Sequence, residues 1–284
     1  MTEARRLSRR AFLLGGAGLV GAVAAGTELV GTDRVLHEVG LRGSPDHHVP
    51  ASGWPLQTGL LASKEMRRHV RWVMARPTGA KPLDGVIVCL HGHGNDVRFA
   101  FDTVRLHDVV ADVGADLAVA SVDGGASSYW HKRADGTDSG AMLTEEFVPF
   151  VQQHLAVEPV ALLGWSMGGY GALLAGERHP DRFPVIIGSS PALFPRAADA
   201  APGSFDGAAD YAANDVFAGA GRLKTSAVRI DCGTRDPFVR AVRAFVRKVP
   251  KATASFSRGH HDAAFWRSVA PAQVRFAQDS LTSR

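Results

Sequence analysis

The sequence predicts an α/β fold, a mostly parallel sheet with helices on both faces. Three observations predict it. Short apolar runs, several of four to six residues, recur from residue 70 onward, as strands buried on both faces do. Helical patterns lie between those runs, and strand alternating with helix implies parallel pairing by crossover. The composition is that of a globular chain with enough apolar material for one large core: 284 residues, 45% hydrophobic and 21% charged. No internal repeat, heptad or low-complexity segment points elsewhere.

The elements follow in order. Residues 27–68 carry Gly and Pro and show no strand pattern. Strands are predicted at 70–75, 85–90, 117–122, 159–163, 185–188, 228–232 and 254–257. A helix over 144–155 places Phe147, Val148, Val151 and Leu155 on one face, with Pro149 implying a late start or a kink. Residues 171–179 read as a helix. Residues 239–249 do the same with Val242, Phe245, Val246 and Val249. Residues 262–281 form the closing helical region, expected to break near Pro271. Residues 191–222 are rich in Ala, Gly, Asp and Pro and read as a cap or loop insertion.

The N-terminus reads as an export leader over residues 1–26, followed by a single domain over 27–284. Ser8-Arg9-Arg10-Ala11-Phe12-Leu13 is a twin-arginine pattern, and a mildly apolar run extends from Ala11 to Gly26. That run is short for a membrane span, and Ala22-Val23-Ala24 offers a cleavage site. An uncleaved anchor is the alternative. Export by this route makes the twin-arginine translocon a transient partner and places the working protein outside the cytoplasm.

The leader also distorts the charge. The formal net charge is +4, but Arg5, Arg6, Arg9 and Arg10 lie in the leader against only Glu3. The remainder is close to neutral, so neither nucleic acid nor an anionic membrane is expected as a partner. Cys89 and Cys232 end separate strand-like runs and are expected as buried small hydrophobes rather than a disulfide. No Cys/His spacing suggests a metal, and no cofactor is implied.

Chemistry enters at Gly164-Trp165-Ser166-Met167-Gly168. This Gly-x-Ser-x-Gly stands between an apolar strand and a helical pattern, the setting of a nucleophile elbow. Side chains two residues either side of the serine would collide with so sharp a turn. The bare pattern arises by chance in a Gly-rich chain, so context must decide. An elbow of this kind needs an oxyanion loop upstream, then an acid and a histidine downstream, in that order.

All three have candidates. His91-Gly92-His93-Gly94-Asn95 directly follows a strand, and its Gly-rich turn can expose backbone N–H groups. His93, with Gly92 as alternative, and Met167, the residue after the serine, are the expected oxyanion donors. Two histidines two apart lack the third ligand a metal would need. Asp231 and Asp236 are candidate acids; Asp236, on the loop beyond the strand, is preferred because catalytic groups gather outside carboxyl strand ends. Asp236 also suits a helix N-cap before Pro237. Gly259-His260-His261-Asp262 supplies two candidate histidines. Tyr129 and Trp130, just past a strand end, are candidate substrate-binding residues, or an aromatic pair anchoring a surface loop.

These residues resemble a known family. Ser166-Met167-Gly168-Gly169-Tyr170-Gly171-Ala172-Leu173 is similar to the elbow of the putative esterase family of α/β-hydrolases. That family includes S-formylglutathione hydrolases, feruloyl and enterochelin esterases and secreted mycolyltransferases. Gly259-His260-His261-Asp262-Ala263-Ala264-Phe265-Trp266 resembles its Gly-x-His-x-x-x-aromatic-Trp ending, which makes His261 the catalytic position. Asp231-x-Gly233-x-x-Asp236-x-Phe238 resembles its acid loop. The resemblance spans roughly residues 70–280. The loop at His91 departs from the Asp-Gly-Leu form of the mycolyltransferases. The resemblance implies an α/β-hydrolase fold and an exported serine esterase with Ser166, Asp236 and His261 as triad. Its substrate would be a small-molecule or cell-envelope ester. Acyl transfer to an envelope sugar or lipid alcohol is the alternative, and a non-catalytic binding protein on the same fold is a third.

Overall fold

The computed structural model describes residues 43–79 and 81–283. The twin-arginine pattern and the 1–26 leader lie outside them. Eight strands form one sheet among the described residues, in the order β1-β2-β4-β3-β5-β6-β7-β8. They are β1 (Gln57–Ser63), β2 (Arg68–Ala75), β3 (Gly85–Leu90), β4 (Leu117–Val122), β5 (Val160–Trp165), β6 (Val185–Ser189), β7 (Ala227–Gly233) and β8 (Thr253–Ser257). β1–β2 and β2–β4 pair antiparallel, and every pair from β4 to β8 is parallel.

The central strands show why apolar runs were the legible signal. Every residue of β3, β4 and β5 is buried. Successive side chains of a strand alternate faces, so β3 feeds two cores. Val86, Val88 and Leu90 join one cluster, while Ile87 and Cys89 join the other. The seven predicted strands are present. β1 was not predicted: it lies in the segment read as patternless and pairs along its whole length with β2, from Gln57↔Met74 to Ser63↔Arg68. Cys89 and Cys232 are buried free thiols, and burial pushes both thiol pKa values up.

The α-helices of four residues or more among the described residues are α1 (Leu106–Val113), α2 (Val148–Leu155), α3 (Met167–Arg178), α4 (Ala208–Ala213), α5 (Val216–Gly219), α6 (Val239–Val246) and α7 (Ala263–Thr282). One expectation is corrected and one holds. α7 continues through Pro271 as one element. Proline forfeits one ladder hydrogen bond, a cost of about 3 kcal/mol, but Val269, Ala270, Val274, Ala277 and Leu281 bury the helix on both sides of it. Pro149 goes with the late start expected of its helix, which begins as an α-helix only at Val148. It follows a π-helical turn, Met142–Phe147, and takes a first-turn position of α2, where a missing N–H matters least. The 191–222 connection contains α4, α5 and short 3-10 turns, with Leu193, Phe194, Tyr211, Val216 and Phe217 buried.

The far end of α3 holds a buried carboxyl. Glu177 is 3% exposed, and burial pushes its pKa up to about 9, with Arg222 acting in the opposite direction. The native state therefore holds this proton more tightly than the unfolded chain does. The linked stability is fully present below the ordinary value of 4.5 and is lost as pH rises towards about 9. Glu177→Gln is expected to flatten the fall in Tm between about pH 5 and about pH 8.5, read by differential scanning fluorimetry. Parallel profiles for the two proteins would exclude Glu177 as its source.

Candidate active site

The site is built at the carboxyl ends of the parallel strands, where open α/β sheets present their ligand groups. β5 ends at Trp165 and α3 begins at Met167, so Ser166 alone makes the turn. Its backbone has φ 53° and ψ −116°, a strained conformation for a residue with a side chain, costing roughly 1–3 kcal/mol. Surrounding bonds impose it. The Ser166 N–H donates to Ser189 O at 3.1 Å, and Ser166 O accepts from Tyr170 N and Ala192 N, both at 3.0 Å.

The glycines of the motif are explained by contact. A Cβ on Gly164 would lie 1.9 Å from Gly168 O, and one on Gly168 would lie 1.9 Å from Leu90 O at the end of β3. The elbow is therefore packed backbone to backbone, which leaves the hydroxyl of Ser166 at the tip.

Three side chains from distant segments meet there. Ser166 Oγ lies 2.9 Å from His261 Nε2, and His261 Nδ1 lies 2.8 Å from Asp236 Oδ2. A carboxylate only accepts, so Nδ1 carries the proton and Nε2 is free to accept from the serine hydroxyl. Asp236 is 2% exposed and sits on the loop between β7 and α6. Its second oxygen, Oδ1, accepts the Phe238 N–H at 2.8 Å, but α6 has Phe238 as its N-cap with no side-chain cap bond, so Asp236 closes a turn before the helix and does not cap it as expected. Phe238 and Trp266 hold the imidazole ring, each 5.2 Å away between centroids, Trp266 edge-on.

The remaining candidates fall elsewhere. Asp231 is fully buried in β7, held by both oxygens to Arg229 at 2.8 and 2.7 Å and by Oδ2 to Gln273 Nε2 at 2.9 Å. Burial raises its pKa and Arg229 opposes that; it ties β7 to α7. His260 presents its backbone N–H to Ser44 Oγ at 2.8 Å. Tyr129 and Trp130, read as substrate-binding residues or as an aromatic pair anchoring a loop, pack here as an anchoring pair. They are 4% and 2% exposed and belong to the core. Tyr129 packs against Tyr170, Phe194 and Phe205. The Trp130 indole N–H donates to His91 O at 3.3 Å, and its ring fills the space beside Gly171 of α3. Trp130 thereby links the oxyanion loop to the helix that follows the elbow, and it also borders a cavity with Asp138, Gly140 and Thr144.

That loop lies against the serine. A Cβ on Gly92 would approach Ser166 Cβ to 3.4 Å. The Gly94 N–H donates to Ala126 O at 2.8 Å and the Asn95 N–H to Gly92 O at 3.2 Å. Among the described residues, the N–H groups of Gly92 and His93 have no backbone acceptor. Met167, first in α3, carries one of the unbonded N–H groups every helix start presents, and the helix dipole adds partial positive charge there.

One residue outside the predicted set shapes the loop. His91 is buried; its Nε2 accepts the Gly124 N–H at 3.1 Å, which assigns the proton to Nδ1, 2.9 Å from Gly92 O. Burial lowers its pKa, with the Gly92 bond opposing, so it acts as a neutral brace. Its position after β3 was legible in sequence; its inward direction was not. Among the described residues, no group of three or more His, Cys, Asp or Glu is placed to hold a metal ion.

Residues 63–275 match the family model described as Putative esterase. No curated protein matches the chain in sequence. A solved ferulic acid esterase is 18% identical with a TM-score of 0.69, the match covering 80% of this chain and 98% of that one. An S-formylglutathione hydrolase from Agrobacterium tumefaciens is 15% identical with a TM-score of 0.67, covering 84% and 99%. The fluorophosphonate-binding serine hydrolase F of Staphylococcus aureus is 16% identical with a TM-score of 0.66, covering 79% and 98%. At these identities the structural likenesses establish the shared fold. The family match covers well over half of the 284 residues, and so the chain belongs to the putative esterase family of α/β-hydrolases and is a carboxylic ester hydrolase of the serine-esterase kind.

Proposed function

We propose that the chain cleaves its ester through an acyl-enzyme on Ser166, with His261 as general base and Asp236 as its orienting acid. The observation that carries this is the pair of bonds at 2.9 and 2.8 Å linking Ser166, His261 and Asp236. Ser166 Oγ attacks the ester carbonyl as its proton passes to His261 Nε2, and the Asp236 carboxylate stabilises the resulting imidazolium. The backbone N–H groups of Met167 and His93, or Gly92 in place of His93, hold the oxyanion, at about 3 kcal/mol per donor. His261 then returns the proton to the leaving alcohol. Water, activated by the same imidazole, releases the carboxylic acid.

The substrate is a small-molecule or cell-envelope ester. A cleft of about 460 Å³ with mixed apolar and polar lining, including Met66, Gly125, Ala126, Ser128, Arg133 and Asp206, borders the oxyanion loop through the bond from Gly94 to Ala126. It offers room for part of such an ester. The 191–222 segment acts as a cap: Phe194 contacts Phe238, which contacts His261. The compact unit Ser44–Arg284 carries the proposed activity. The twin-arginine pattern at Arg9-Arg10 supports export by that translocon to the secreted or cell-envelope space.

Ser166→Ala is expected to abolish p-nitrophenyl ester hydrolysis, a loss of about 10⁶-fold in kcat, while circular dichroism shows an unchanged fold. Mass spectrometry should find the wild type acylated on Ser166 and labelled there by a fluorophosphonate. Retained turnover in the variant would overturn the reading. Product analysis with water and a sugar acceptor in competition separates hydrolysis from acyl transfer.

A further inference from the structure

We infer that Ser44 is a positioning residue, whose hydroxyl fixes the short segment that carries His261. The inference rests on the proposed role of His261 as general base. His260, His261 and Asp262 are consecutive, and both neighbours of His261 are held by the same oxygen. Ser44 Oγ accepts the His260 backbone N–H at 2.8 Å and donates to Asp262 Oδ2 at 2.8 Å. The other oxygen of Asp262 accepts the Phe265 N–H at 2.8 Å and so caps the start of α7. One hydroxyl therefore links the loop before the imidazole to the helix after it.

Ser44 is well placed to act as a fixed point. It is 7% exposed although it belongs to a segment outside every strand and helix. That segment is anchored beyond it. Asp46 binds Arg267 of α7 through both oxygens at 2.8 and 2.7 Å, and Arg267 also donates to Thr103 O at 2.9 Å. Further along, the Ser52 N–H donates to Asp108 of α1 at 2.6 Å. Residues 44–52 thus form a strap from α7 to α1, and Ser44 is its contact with the histidine segment.

Geometry explains why this matters for the reaction. His261 must keep two bonds at once, to Asp236 and to Ser166, with its ring seated between Phe238 and Trp266. A displacement of about 1 Å at a reacting group costs roughly 10²-fold in rate. Removing the Ser44 hydroxyl takes away one bond on each side of the imidazole, at the His260 N–H and at Asp262 Oδ2, and so loosens the segment. The Asp46–Arg267 pair makes no hydrogen bond to either neighbour of His261, and only the charge of Asp262 reaches Arg267, so its main effect is to hold the strap.

The test uses the full chain and three substitutions at Ser44, with Asp46→Asn and Ser166→Ala as controls. Ser44→Ala is expected to lower kcat about tenfold with KM within about twofold, and to slow fluorophosphonate labelling of Ser166 in proportion. Ser44→Thr, which keeps the hydroxyl, should restore most of the rate. Asp46→Asn should lower Tm modestly, yet leave kcat within about twofold. If Ser44→Ala does not fold, Ser44→Cys provides a side chain of similar size and weak hydrogen bonding, expected to show the same loss in kcat. Unchanged kcat in Ser44→Ala or Ser44→Cys, while Ser166→Ala is inactive, overturns this inference alone. An equal loss of kcat in Asp46→Asn also overturns it, because general loosening would then account for both. Turnover that survives Ser166→Ala overturns the triad reading and this inference together.

Discussion

Asp236→Asn is expected to lower kcat by about 10⁴-fold while leaving the fold intact. The size of the effect follows from the two bonds the carboxylate makes. Oδ1 accepts the Phe238 N–H and Oδ2 accepts the His261 Nδ1–H. Asparagine has one accepting oxygen and one donating amide, so it satisfies only one of these donors. If its oxygen takes the Phe238 N–H, the amide faces Nδ1 and donates to it. The imidazole then carries its proton on Nε2, facing Ser166, and no longer accepts the hydroxyl proton. If the amide is turned the other way, two donors face each other at a site 2% exposed, which costs about 1–3 kcal/mol. The first arrangement wins, and it holds the wrong tautomer in an otherwise preserved site. The checks are kcat and KM on a p-nitrophenyl ester together with Tm. KM should change little, because Asp236 meets no substrate atom. A kcat within tenfold of wild type would remove Asp236 from the mechanism and return the acid role to another group.

The same residues show what the sequence made legible. β3, β4 and β5 are apolar on both faces, so their runs stand out from any polar flank. β1 did not stand out because it is an edge strand of alternating exposure, with Leu60 64% exposed, and its partner rather than its own composition defines it. The elbow was legible because its steric demand is local: glycines at fixed offsets around one serine. The order of acid and histidine was legible for the same reason, since each follows a strand end. Direction was not. Tyr129 and Trp130 have positive φ values of 48° and 58°, a conformation that bulky side chains rarely adopt. Nothing in their identity announces the turn that sends them into the core. Ser44 was out of reach altogether, because its partners lie 216 and 218 residues away, and a lone serine in an irregular segment carries no periodic or motif signal.

Gly164→Ala is expected to have the largest effect on folding of any single methyl added to this chain's elbow. The new Cβ would lie 1.9 Å from Gly168 O, 2.1 Å from Gly168 C and 2.6 Å from Gly169 N. All three are backbone atoms, so no rotamer change relieves the contact. Nor can the first turn of α3 retreat. Gly168 is already against Leu90 O, and Gly169 is against Pro191, where an added Cβ would find Cα at 2.9 Å. Relief requires separating α3 from β5, which breaks the bonds that hold Ser166 in its strained conformation. Overpacking that side chains absorb costs typically 1–3 kcal/mol; here the cost should reach at least about 3 kcal/mol. In a domain of this size that corresponds to a fall in Tm of roughly 6–12 °C. Gly221→Ala is the matched control, because no atom lies within 4 Å of its Cβ position, and it should leave Tm within about 2 °C. Fluorophosphonate labelling of the folded fraction adds a second readout. A Gly164→Ala protein that melts like wild type and still labels at Ser166 would show that the elbow tolerates a methyl, and the steric account of the motif would fail with it. Gly164 is therefore the position where the fold and the chemistry share one constraint: the close approach that excludes a side chain there is what presents the hydroxyl of Ser166 to His261.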